Sequence, residues 1–145
     1  MDSKGIGAFA VAKFPIKRAI SKGLVPLLPL SSMLYSEGDE MIVKSEEAKR
    51  NSFYGVGFVV LSHGQKSMVT KMLYKSEDNV PYHKHPNEQS GYVLSGKYRM
   101  RFGEHDQVIG PGDSYTIPGD VEHSIEIIEA GEVLDFFTPP REDYL

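Results

Sequence analysis

The segment Pro81-Tyr82-His83-Lys84-His85-Pro86-Asn87-Glu88-Gln89, answered downstream by Ile117-Pro118-Gly119-Asp120-Val121-Glu122-His123, carries three imidazoles and, at Gln89, the side-chain amide that could join them. Imidazole nitrogen is the commonest neutral metal ligand that proteins offer, and first-row ions accept mixed nitrogen and oxygen shells. Successive side chains alternate faces along an extended strand, so His83 and His85 share one face and Lys84 points away. Two imidazoles at that spacing suit one ion. A small barrel that brings His123 and the amide to the same place completes a centre able to act as a Lewis acid. The remaining histidines, His63 beside Gly64 and His105 within Gly103-Glu104-His105-Asp106, fall in predicted turns and are expected at the surface.

The elements that must position these groups are strands. From Phe53 onward short β-branched and aromatic runs are cut by turn residues, the pattern of an all-β barrel or sandwich. Tyr54–Leu61 is one run, stopped by Ser62-His63-Gly64-Gln65; Met68–Tyr74 is the next, followed by a loop over Ser76-Glu77-Asp78-Asn79. Lys97–Phe102 alternates most cleanly, which predicts Tyr98, Met100 and Phe102 inside and Lys97, Arg99 and Arg101 in water. Ser124–Ile128 and Glu132–Phe137, joined by Ala130-Gly131, are two late strands. No helix of three turns is expected in this portion, and strands without helical spacers argue against a parallel α/β sheet. The histidine pair occurs once, so the barrel is single.

Size and charge narrow the function. A chain of 145 residues suits one domain with a sizeable core and is too short for two ordinary ones. With 40% hydrophobic and 25% charged residues the composition is that of a globular protein, not a disordered one. A formal charge of −4 gives no attractive field for nucleic acid or an anionic membrane. The absence of cysteine excludes disulfides, thiolate metal sites and cysteine nucleophiles. No run approaches the ~20 apolar residues of a membrane-spanning helix. At the amino terminus the apolar stretch Gly5–Ala12 precedes Lys13, Lys17 and Arg18, the reverse of a signal peptide, and prolines break Leu24–Leu30. A cytoplasmic location is the expectation. Residues 1–40 lack the strand pattern and read as an extension or arm, with the barrel over 41–145. The arm and the face around Phe136 favour a homodimer.

Several intervals in the central segment agree at once. Three residues separate His85 from Gln89 and six separate Gln89 from Gly96; five lie between Gly112 and Pro118, and four between Pro118 and His123. With His-x-His, this resembles the two motifs of the cupin superfamily, over about two-thirds of the chain. The resemblance implies an all-β, single-domain cupin, a small double-stranded β-helix or jelly-roll barrel with an N-terminal extension. It also implies a metal held by His83, His85, Gln89 and His123. Cupins commonly carry a glutamate where this chain has Gln89. Glu88 is adjacent, but neighbours on a strand face opposite sides, so one of the two is inward unless a bulge shifts the count. The motif spacing to Gly96 selects Gln89. Three imidazoles and an amide leave the charge of a divalent ion uncompensated, which favours an anionic oxygen ligand from substrate. Iron oxygenases more often use two histidines and a carboxylate, which weighs modestly against oxygen chemistry.

The carboxyl terminus, Leu134-Asp135-Phe136-Phe137-Thr138-Pro139-Pro140-Arg141-Glu142-Asp143-Tyr144-Leu145, holds a second constellation. Asp135 and Phe137 share a strand face opposite Phe136. On pattern alone that face is either inward, with a buried carboxylate that needs a partner or a function, or outward with Arg141-Glu142-Asp143 as a solvated tail. Inward, Arg141 after the diproline folds back over the barrel mouth, where its planar fork suits a substrate carboxylate. The ending, with His-x-His-Pro-x-Glu-Gln and Gly-Tyr-Val-Leu-Ser-Gly, resembles the KdgF cupins of pectin degradation, which open unsaturated uronates to linear keto acids. The resemblance implies catalytic roles for Asp135 as the acid–base group, Arg141 as a carboxylate clamp and Phe137 as a wall for the sugar. Tyr82 and Tyr92 point away by strand parity. The resemblance implies one divalent transition metal as cofactor, with Ni, Zn, Fe, Mn and Co all compatible, and a small anionic sugar acid as partner. The rival readings are a metal-dependent dioxygenase or decarboxylase and a non-catalytic sugar-acid binding module.

Overall fold

A computed structural model of the chain describes residues 42–145, so the reading of an amino-terminal arm lies outside the described residues. Ten strands follow one another: β1 (Lys49–Phe53), β2 (Val56–His63), β3 (Met68–Tyr74), β4 (Asn79–His83), β5 (Glu88–Val93), β6 (Lys97–Phe102), β7 (His105–Ile109), β8 (Ser114–Ile117), β9 (His123–Glu129) and β10 (Gly131–Thr138). A 3-10 turn, Glu142–Tyr144, follows the last strand. The strands form a six-stranded sheet in the order β1-β2-β3-β10-β5-β8 and a four-stranded sheet in the order β4-β9-β6-β7. All neighbouring pairs are antiparallel. This is the all-β barrel that the strand pattern predicts, in the jelly-roll form that the cupin resemblance implies.

Alternation sets which residues line the interior. In β3 every second residue from Met68 through Thr70 and Met72 to Tyr74 is buried. In β6 Tyr98 and Met100 are buried while Lys97 and Arg99 are exposed. Phe58, Met68, Val93, Tyr98, Ile117, Val133 and Phe137 are among the core residues contributed by both sheets. Burying each such side chain stabilises the fold by about 1.5–3 kcal/mol relative to leaving it exposed.

The turns depart from the sequence reading in identifiable ways. Tyr54 and Gly55 do not begin a strand. They have φ of 50° and 85° and form the two-residue loop of the β1–β2 hairpin, whose twist requires left-handed residues. The β2 strand runs on through Ser62 to His63, so His63 is a half-buried strand residue and not part of a turn. His105 likewise opens β7; only Gly103 and Glu104 make the turn, and His105 itself is exposed.

Candidate metal centre

Three histidines meet inside one end of the barrel. His83 ends β4 and His123 begins β9, and the two residues pair across those strands. His85 is not on the strand that carries His83. Strand β4 stops at His83, its register with β9 is shifted between Val80 and His83, and Pro86 lacks the N–H that a continuing ladder needs. His85 therefore comes inward from the following loop, where its carbonyl accepts a 2.7 Å hydrogen bond from the Asp120 N–H. Gly119 lies so close to this loop that a Cβ there would stand 2.3 Å from the Pro86 carbonyl oxygen. Backbone proximity, and not strand alternation, brings the 83–85 and 119–123 segments together.

Each imidazole is held in one tautomer. Nδ1 of His83 donates to the Pro81 carbonyl at 2.9 Å, Nδ1 of His85 to that of Asn87 at 2.9 Å, and Nδ1 of His123 to that of Val121 at 2.8 Å. A carbonyl only accepts, so the proton sits on Nδ1 and every Nε2 presents a lone pair, the arrangement by which neighbouring backbone orients metal-bound histidine. Potential ligand atoms of the three residues lie within 4.8 Å of one another. The Nε2 of His123 is buried with no hydrogen-bond partner. The Nε2 of His85 faces the Oε1 of Gln89 at 3.0 Å. Two lone pairs confronted at that distance repel unless a cation lies between them. An orphaned buried nitrogen and a lone-pair confrontation are what a metal ion would resolve, and this donor set fits one.

Burial lowers the pKa of all three histidines. For His123 it falls to about 4, burial being the main cause; for His83 and His85 the direction is the same, again led by burial, with the Arg141 charge adding to it. At neutral pH the three are uncharged, which is the metal-binding form.

Gln89 is 8% exposed on β5, and Glu88 beside it is exposed, so it is the amide that faces the histidines. Asp135 and Phe137 on β10 are each 2% exposed, whereas Phe136 between them is 41% exposed. The face carrying Asp135 is thus the inner one. The Asp135 carboxylate accepts a 2.7 Å hydrogen bond from the Tyr115 hydroxyl. Burial raises the Asp135 pKa to about 6, against the opposing pull of Tyr115, Gln89 and the Arg141 charge. Arg141 is no solvated tail residue: it is 6% exposed, with its guanidinium carbon 4.1 Å from the centre of the Tyr144 ring and 5.1 Å from that of Phe53. Its fork is already engaged by the Asp143 carboxylate, at 2.6 and 3.1 Å. The interior cavity, about 30 Å³, is lined by His83, Gln89, His123, Asp135, Phe137 and Arg141 among others.

Three tyrosines of the site, Tyr74, Tyr115 and Tyr144, also line this cavity and were not singled out by sequence. Tyr115 had a usable signal, because it stands two residues before Ile117 and so shares its face. Tyr144 had none, since its burial depends on the chain folding back after the diproline. Tyr82 and Tyr92 are exposed.

A family model of the cupin domain matches residues 71–137. No curated protein matches the chain in sequence. Among solved structures, an RmlC-like cupin from Shewanella frigidimarina superposes with a TM-score of 0.68 at 24% identity, covering 73% of this chain and 96% of that one. KdgF from a Halomonas species gives 0.66 at 22% identity, covering 72% and 99%. Pac13 from Streptomyces, a nucleoside dehydratase, gives 0.60 at 16% identity, covering 69% and 82%. These likenesses establish the fold. A fold that serves a nucleoside dehydratase among others does not choose the reaction, which has to be argued from the site.

Proposed function

This chain carries a cupin domain, and from that premise we propose that it holds one divalent transition metal on His83, His85, Gln89 and His123 and isomerises an unsaturated uronate to its linear keto acid. The observation that carries the reading is a buried carboxylate, an arginine and two imidazoles, His83 and His123, around a single cavity, with His85 completing the histidine cluster beside it. A cation held there would supply positive charge against the negative charge that develops on oxygen during the reaction.

The reaction moves protons and needs no oxidant. The hemiacetal hydroxyl loses its proton, its carbon becomes the aldehyde carbonyl, and the bond to the ring oxygen breaks. That oxygen is left as an enolate, which becomes the ketone when a proton is added at the far vinyl carbon. Asp135 is the group we assign to take the first proton and deliver one to carbon, since its buried carboxylate lines the cavity. Phe137 provides an apolar wall beside His85, their ring centres 5.5 Å apart. Arg141 is the carboxylate clamp, sharing its fork between Asp143 and the substrate. A cavity of about 30 Å³ admits an ion and a water but no sugar ring. The larger hollow lined by His85, Asn87, Arg141 and Asp143, about 870 Å³, shares Arg141 with this cavity and offers the space a sugar needs.

The test is incubation of the metal-loaded protein with unsaturated galacturonate from a pectin digest, following the ultraviolet absorbance of its double bond. Faster loss than the uncatalysed rate supports the assignment; no acceleration with any of nickel, zinc, iron, manganese or cobalt sinks it.

A further inference from the structure

Asp135 lies in a row that runs straight across three hydrogen-bonded strands. Asp135 of β10 stands opposite Gly91 of β5, and Gly91 stands opposite Tyr115 of β8. Residues in register share a face, and neighbouring strands are about 4.8 Å apart, so the backbones of Tyr115 and Asp135 are separated by roughly 10 Å. Any side chain at position 91 would stand between them. A Cβ built on Gly91 would lie 2.0 Å from Cζ of Tyr115 and 2.4 Å from its hydroxyl oxygen. The phenol ring thus lies across the bare glycine, and its hydroxyl reaches Oδ1 of Asp135 at 2.7 Å. Gly91 is not among the positive-φ glycines, so its backbone conformation does not demand glycine; the space above it does. On the other side of Asp135 the in-register residue is Thr70, whose buried hydroxyl has no partner. Of the two hydroxyls flanking the carboxylate in this row, Tyr115 is the one that holds it.

We propose that Tyr115 is a positioning residue for Asp135, and that Gly91 is the gap through which it acts. The proposal rests on Asp135 being the acid–base group of the reaction proposed above. By fixing Oδ1, the phenol sets the carboxylate plane and leaves Oδ2 as the oxygen that exchanges protons with substrate. A tyrosine placed only for packing would fill the same space without needing its hydroxyl. Phenylalanine therefore separates the two roles.

The experiment uses the full zinc-loaded chain with 13C at the aspartate carboxyl carbons, the Asp135 resonance being assigned by its loss in Asp135→Asn. Tyr115→Phe is expected to displace that resonance while the other aspartates stay in place. Zinc affinity should remain within about threefold. Turnover of unsaturated galacturonate should lose roughly 10–100-fold in kcat, the usual cost of removing an orienting hydrogen bond, with KM changed less than about twofold. Gly91→Ala, which drives the ring off its seat, should displace the same resonance. An Asp135 signal that does not move in Tyr115→Phe overturns the proposal, as does an unchanged kcat in a turning-over enzyme. If the wild-type protein shows no turnover, the uronate reading fails, and the resonance alone decides whether Tyr115 holds Asp135.

Discussion

Replacing Asp135 by asparagine should make the metal-free protein more stable, and by an amount that depends on pH in a stated way. Asp135 is 2% exposed, and burial raises its pKa from the ordinary 3.8 to about 6. The folded state therefore holds the proton more tightly than the unfolded chain, and between pH 4 and 6 folding takes up a proton. Below about pH 4 the carboxyl is neutral in both states and burial carries no charge penalty. Above about pH 6 it is ionised in both, and the native state bears the whole cost. At about 1.4 kcal/mol for each pH unit between the two values, that cost is ~3 kcal/mol. Asparagine has the same shape and can still accept from Tyr115, but has no charge to bury. The stability difference between Asp135→Asn and wild type should thus grow by ~3 kcal/mol from pH 4 to pH 7.5, about 10 °C in melting temperature for a domain of this size. Urea denaturation of both proteins without metal across that range checks it. A difference that is flat with pH, or that grows in the opposite direction, would refute the idea that Asp135 is a carboxylate held at a cost to the fold. The same variant should lose uronate turnover, the usual exchange of activity for stability at a working site.

Other outcomes follow from the same geometry. Adding zinc or nickel at 100 times its dissociation constant should stabilise the protein by about 2.7 kcal/mol, a gain that His123→Ala removes in a thermal melt. In the metal-free protein burial lowers the His123 pKa to about 4, so the unfolded chain binds that proton more readily; the stability that wild type holds over His123→Ala should shrink as pH drops from 6.5 towards 4, opposite in sign to the effect of Asp135, as urea denaturation of both proteins would show. Gly119→Ala should lower metal affinity, measured by isothermal titration, because its Cβ would press on the Pro86 carbonyl and part the two segments that carry His85 and His123. Arg141→Lys should raise KM for uronate more than it lowers kcat, since an ammonium lacks the planar fork.

Much of this molecule could be read from its sequence because strands alternate. The buried Tyr98 and Met100 against exposed Lys97 and Arg99 are a direct consequence of that period. The grouping of His83 and His85 was legible too, but for a partly different reason: the loop after β4, and not the strand face, turns His85 inward. Asp135 could not be assigned to a side from its own strand, where one parity buries a carboxylate and the other buries Phe136. The β10 register with β3 and β5, a long-range property, settles it. Tyr115 on the four-residue strand β8 shares the face of Ile117, which signals its side, but the role proposed for it depends on a missing side chain on β5, two strands from β3. Gaps of that kind carry no local signal.

The pairing of His83 with His123 joins positions forty residues apart in the chain, at the place where β4 and β9 meet. Contacts so distant in sequence form late, because a long loop must close before they repay its entropy. A cation bound across that seam would then grip a part of the barrel that is still open at the folding barrier. Its stabilisation should appear as slower unfolding, with the folding rate nearly unchanged. The centre would serve as a clasp on the finished barrel, setting how long each folded molecule lasts instead of how quickly it forms.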